Sequence, residues 1–362
     1  MTLRLSLAPG RNGPLAPAAF GENRYLEFFK VQIFGLASVF SAVAVQGFSR
    51  LAQLVASAIA AALLVGCSSP APRPITAVPA AGQKPVVLTT FTVLADLARQ
   101  VAGDRLEVRS ITKPGAEIHG YELTPSDLES AQGADLIVEN GLGLERWAAR
   151  FVAASGQAST LTLSQGMEPL LIEGDVYAGK PNPHAWMSPK RAEHYVDRLV
   201  EGFSLLDPGG APGFRARGEA YKQQLRALDA ELRSALADVP PSQRLLVSCE
   251  GAFSYLARDY GLDEAYLWPV NAETQVTPRR LARLIDTVKQ RRVPAVFCES
   301  TVSDEAQREV ARATGAQFGG TFYVDSLSGS GGPAPSLLAL QRHNVNLIVQ
   351  GLSLPPAARP AP

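Results

Sequence analysis

From residue 85 onward the hydrophobic positions switch repeatedly between two periods. Short runs rich in apolar and β-branched residues, PVVLTTF, LEVRSI and DLIVEN, read as strands. Between them apolar residues recur every three or four positions, over 94–101, in PSDLESAQ and in LERWAARFVAA, as on one face of a helix. Pro125 stands at the first turn of the second of these, where its missing N–H costs nothing. A further helix is predicted from Ser188-Pro189 to about residue 206. After residue 243 the alternation resumes: RLLVS, EAYLW, PAVFCES and AQFGG as strands. Helices are predicted at FSYLARDYG, which ends on a glycine, and over 278–290, 303–314 and 335–351. Strands alternating with helices in this way predict α/β units with parallel sheets.

One segment breaks the rhythm. Residues 214–238 hold no interior proline, one glycine and many strong helix formers. Tyr221, Leu225, Leu228, Leu232 and Leu236 fall on a single stripe. With α/β units on both sides, this helix reads as a rigid strut between two lobes. The predicted fold is therefore α/β, with two parallel-sheet lobes joined by one long helix and a cleft between them. The expected boundaries are a leader over 1–66, a tether over 67–84, a first lobe over 85–210, the linking helix over 211–240, a second lobe over 241–354 and a tail over 355–362.

The leader changes the picture of location. Apolar stretches occupy 31–45 and 51–65, and the second follows Arg50 and runs into Leu64-Val65-Gly66-Cys67. A basic flank, a short apolar run, small residues and a cysteine resemble a bacterial lipobox, with Cys67 as the lipidated residue. The run is short for a spanning helix, which needs roughly 20 apolar residues. The proline- and alanine-rich 68–85 then reads as a tether. Because a lipoprotein signal begins only about 20 residues before its cysteine, translation is expected to start nearer Arg50. A further membrane segment at 31–45 is the alternative.

Charge adds little: 34 basic residues balance 34 acidic ones, which gives no reason to expect a nucleic-acid partner. With only three cysteines and four histidines, their positions carry weight. Four polar segments fall where strands should end, GAEIHGYELTP, NPHAWMSP, SCEGAFSY and YVDSLS, and they offer His119, His184, Glu250 and Asp325. In open α/β sheets ligands bind beyond the carboxyl ends of strands. Two imidazoles and two carboxylates suit a divalent transition metal, although their spacing alone forms no short metal motif.

Those segments, with PGAEIHGYELTPSDL, ENGLGLERW, EGAFSYLARDYGL and the long helix, resemble the cluster A-I solute-binding lipoproteins of ABC importers, which carry manganese, zinc or iron. The similarity spans about 85–352. It is strongest toward the cyanobacterial manganese-binding members, through LWPVNAETQVTP, VPAVFCESTVSD and GGTFYVDSLSGSGGPAPS. The resemblance implies that His119, His184, Glu250 and Asp325 are the metal ligands. It also implies a monomer without covalent chemistry, which hands its ion to a permease and an ATPase. Glu250 stands where zinc-specific members carry histidine, and no histidine-rich loop precedes His184. An oxygen-richer shell points to manganese(II), with zinc(II) or iron(II) on the same residues as the alternative. A metallohydrolase is the reading from another class; it needs an open coordination position, which four enclosing ligands would not leave. The expected location is the periplasm, lipid-anchored at the outer face of the cytoplasmic membrane.

Cys249 and Cys298 each close a predicted strand and each precedes a glutamate. Corresponding positions in one parallel sheet would bring them within disulfide reach, in a compartment that preserves such a bond; two buried thiols are the alternative. Glu299 is placed near the cleft but outside the ligand set. His194 and His343 are read as helix-face residues, and Trp147, Trp186 and Trp268 as packing around the cleft.

Overall fold

The first strand, β1 (Val86–Thr89), buries its last three side chains and lies between β2 (Glu107–Ser110) and β3 (Leu136–Glu139). β4 (Ser159–Thr162) extends the sheet beyond β3, and all three pairings are parallel. The computed structural model describes residues 83–355 apart from 157, 174–176 and 272–275. The leader with its two apolar stretches, Cys67, the tether up to residue 82 and the tail from 356 lie outside the described residues. Among the described residues no helix is long and apolar enough to cross a membrane.

Helix α1 (Thr92–Ala102) follows β1, and α2 (Pro125–Ala131) starts at a capping box. Thr124 accepts from the Asp127 N–H, and the Asp127 carboxylate accepts from the Thr124 N–H. Helix α3 (Ala148–Ala154) begins four residues later than its hydrophobic pattern predicts. The reason is Glu145, which folds back and accepts from the Asn140 and Gly141 N–H groups, holding 140–145 as a loop. β4 carries no strong sequence signal, since its Ser-Thr-Leu-Thr offers a single large apolar side chain.

Helix α4 (Pro189–Leu206) leads into the long helix α5 (Ala211–Ala237), whose 27 residues span about 40 Å. Tyr221, Leu225, Leu228, Leu232 and Leu236 are all buried, as their stripe predicts. α5 packs on α1 and α4 at its beginning and on α9 (Leu337–Leu352) of the second lobe. At Gly218 the approach to α4 is so close that a Cβ would lie 2.5 Å from a Val200 methyl.

In the second lobe β5 (Leu245–Glu250) pairs with β6 (Asp263–Trp268), and β7 (Ala295–Glu299) with β8 (Gln317–Phe322), both in parallel. Helices α6 (Ser254–Tyr260), α7 (Pro278–Arg291) and α8 (Glu305–Thr314) connect them. α6 and α8 end on the left-handed glycines Gly261 and Gly315. The strands of this lobe pair as two parallel two-stranded ladders. β5 and β7 are bridged by the Cys249–Cys298 disulfide, with Cα atoms 4.8 Å apart.

Candidate metal centre

The four candidate residues come from four loops or strand ends and meet in one buried cluster. Their ligand atoms all lie within 4.8 Å of one another. His119 sits on the loop after β2, where the Glu117 carboxylate accepts from the backbone N–H groups of His119 and Gly120. Trp147 Nε1 donates to the Ile118 carbonyl and pins the same loop. His184 precedes α4, Glu250 is the last residue of β5, and Asp325 follows β8.

The separations have a definite scale. His119 Nε2 lies 3.2 Å from His184 Nε2 and 3.1 Å from Glu250 Oε1. His184 Nε2 is 3.4 Å from Glu250 Oε1, and Asp325 Oδ1 lies 3.7 and 3.8 Å from the two imidazole nitrogens. Four donors placed tetrahedrally around an ion at about 2.1 Å are about 3.4 Å apart. Asp325 Oδ1 and Glu250 Oε2 are buried without a hydrogen-bond partner among the described residues, which in an interior demands a compensating group.

The electrostatics agree. Burial opposes charge on Glu250, yet His184 and His119 opposite it hold its carboxyl below the usual range. Burial also opposes charge on His119, but the Glu250 and Asp325 carboxylates outweigh it and raise its pKa well above the ordinary value. The arrangement favours deprotonated carboxylates facing positive charge.

The surrounding residues orient these side chains. His184 Nδ1 lies 2.9 Å from Asn182 Oδ1, and the Asn182 amide donates to the Gly251 carbonyl and to Ser254 Oγ in the other lobe. Asn271 lies against both carboxylates: its N–H donates to Glu250 Oε1 and its Nδ2 to Asp325 Oδ2. Neither asparagine stood out in the sequence; the only signals were their places inside NPH and PVNAE.

Glu299 lies outside the four-residue cluster. One of its oxygens accepts from the Glu250 N–H, and burial together with the nearby Glu250 and Asp325 charges raises its pKa well above the carboxylate range. His194 bonds the Gln165 carbonyl and His343 that of Thr321, both away from the cluster. The tryptophans pack around the cleft and also donate hydrogen bonds there, Trp186 to the Val324 carbonyl and Trp268 to Asn271 Oδ1. A cavity of about 290 Å³ opens beside the cluster, bordered by His119, Pro183 and Val270.

The family model described as zinc-uptake complex component A, periplasmic (ZnuA) matches residues 87–351. The iron-binding protein YfeA of Yersinia pestis is 46% identical over 265 residues, which cover 73% of this chain and 85% of that protein. A manganese-bound periplasmic metal binding protein from candidatus liberibacter asiaticus superposes with a TM-score of 0.69 at 34% identity, covering 74% of this chain and all of that one. The periplasmic zinc binding protein TroA from Treponema pallidum gives a TM-score of 0.70 at 28% identity, covering 75% of this chain and 100% of that chain.

Proposed function

The chain belongs to the zinc-uptake complex component A family, and on that premise we propose that it captures manganese(II) through His119, His184, Glu250 and Asp325. Membership makes it a metal-binding component of an ABC transporter, which carries its ion rather than transforming it. The observation that supports the ligand set most strongly is the convergence of two imidazole nitrogens and two carboxylates, all buried, at separations suited to one ion.

Manganese is favoured because half of the donor residues are carboxylates, and oxygen suits a harder ion. The relatives and solved structures name iron, manganese and zinc for this architecture. Zinc is the second reading, since separations near 3.4 Å also suit a four-coordinate ion. The motifs LWPVNAETQVTP and GGTFYVDSLSGSGGPAPS support kinship with the cyanobacterial manganese carriers within this family.

The reading extends to the whole chain. Residues 1–66 act as leader, Cys67 carries the lipid and 67–84 form the tether. Lobes over 85–210 and 241–354 flank a linking helix over 211–240, with 355–362 as a tail. The protein works as a monomer in the periplasm, anchored at the outer face of the cytoplasmic membrane, and delivers its ion to a permease coupled to an ATPase.

Chelator-competition titration with manganese tests the ligand set. Asp325→Ala is expected to weaken binding at least about tenfold with the fold intact. Unchanged manganese affinity in that variant would overturn the assignment.

A further inference from the structure

Helix α9 turns three buried positions, Leu337, Gln341 and Asn344, to one face, since they follow one another at helical spacing. Each is hydrogen-bonded to a segment outside the helix. The Leu337 N–H, one of those a helix start leaves unpaired, donates to Asp96 Oδ2 of α1 at 2.8 Å. Gln341 Nε2 donates to the Trp186 carbonyl at 2.7 Å. Asn344 brackets Tyr323: its Oδ1 accepts from the Tyr323 N–H at 3.0 Å, and its Nδ2 donates to the Tyr323 carbonyl at 2.6 Å.

The first two contacts reach the first lobe and the third stays in the second. Trp186 stands two positions after His184, and Tyr323 two before Asp325. The Trp186 ring lies 5.2 Å from the His184 imidazole, and its Nε1 donates to the Val324 carbonyl at 3.2 Å. One helix therefore touches the support of a proposed ligand from each lobe.

Gln341 is a poor choice for stability alone. Its Nε2 must face Trp186, because a carbonyl only accepts, and this leaves Oε1 buried with no hydrogen-bond partner among the described residues. An apolar side chain would carry no such atom, although the Trp186 carbonyl would then lose its donor. The two effects oppose each other, which leaves position as the contribution of the amide.

We propose that α9 sets the register of the metal site, with Gln341 as a positioning residue that holds His184 of the first lobe against Asp325 of the second through Trp186. The inference rests on the ligand set proposed above.

Gln341→Met keeps the side chain long and helix-forming and removes both polar atoms. Gln341→Leu is the second variant, in case methionine packs poorly. Zinc affinity is measured by chelator competition for the wild type, both variants, His184→Ala and the two double variants, beside denaturant unfolding of the metal-free proteins. Zinc is the probe because its place above manganese in the divalent series keeps binding by the His184→Ala protein measurable.

Each Gln341 variant is expected to weaken zinc binding about tenfold when His184 is present. The loss should shrink to less than about twofold in the His184→Ala background, where nothing remains to be positioned. The unfolding midpoint should stay nearly unchanged. Equal weakening in both backgrounds, or a loss of stability in place of the loss of zinc, would show a purely structural glutamine and overturn the proposal. His184→Ala alone serves as the control. If it binds zinc like the wild type, the ligand set has failed and the register role with it. If it loses zinc while the Gln341 variants keep wild-type affinity, only the register role has failed.

Discussion

His184 and Asn182 are bonded twice within one short turn: the Asn182 side-chain oxygen accepts from the His184 backbone N–H at 3.0 Å and meets Nδ1 at 2.9 Å. The Asn182 amide nitrogen donates to the Gly251 carbonyl, which leaves its oxygen as the atom facing the imidazole. The proton of neutral His184 is thereby held on Nδ1, and the lone pair of Nε2 points at the other three candidate ligands. Because Gly251 belongs to the second lobe, the same asparagine ties the His184 loop across the cleft.

Asn182→Ala should therefore weaken metal binding by about 10- to 100-fold, the usual effect of losing the partner of a ligating histidine. Competition titration checks this. Wild-type affinity in a folded Asn182→Ala protein would contradict the orienting role.

The two pH trends of the metal-free protein should run in opposite directions. A divalent ion must displace the proton that the Glu250 and Asp325 carboxylates keep on His119 against the cost of burial. Affinity should therefore rise with pH and level off above the His119 pKa. Stability should fall as pH rises between about 4.5 and 7. Burial pushes Glu145 and Glu264 up to about 7 from an ordinary 4.5, so the folded chain holds protons that the unfolded chain has already lost. Their stabilising contribution is complete below about pH 4.5 and disappears as pH rises through about 7; the raised pKa of His119 has the same sign. Thermal unfolding of the metal-free protein should thus have a lower midpoint near pH 8 than near pH 5. A midpoint that climbs across this range would contradict the assignment of buried, proton-holding carboxyls.

The sequence made the two lobes and the strut legible because their signals are periodic and long. The leucine stripe of α5 and the glycine caps of α6 and α8 lie where the pattern predicts. The misplaced features are those decided by tertiary contacts. α3 starts late because Glu145 turns back on Asn140 and Gly141, and β4 is a strand because β3 offers it a partner. At the centre, the charged and imidazole residues were legible as chemistry, whereas Asn182 and Asn271 were not. An uncharged amide acquires its meaning only from what it touches, and both touch residues far away in sequence.

The disulfide joins residues 49 apart, so its loss in Cys249→Ala/Cys298→Ala should cost about 4 kcal/mol in the chain-entropy account. Denaturant titration of both proteins checks the figure. Cys249 directly precedes Glu250, so the same change should also weaken metal retention by shifting that carboxylate. Equal metal affinity with and without the bond would remove the link between the bridge and the site.

The most direct test of the central claim is the metal content of the native protein, isolated without chelators from cells supplied with both manganese and zinc and measured by elemental mass spectrometry. The account predicts close to one equivalent of manganese per chain, lost in Asp325→Ala. Native protein carrying no stoichiometric divalent metal would contradict the account, and zinc at that stoichiometry would contradict its choice of ion.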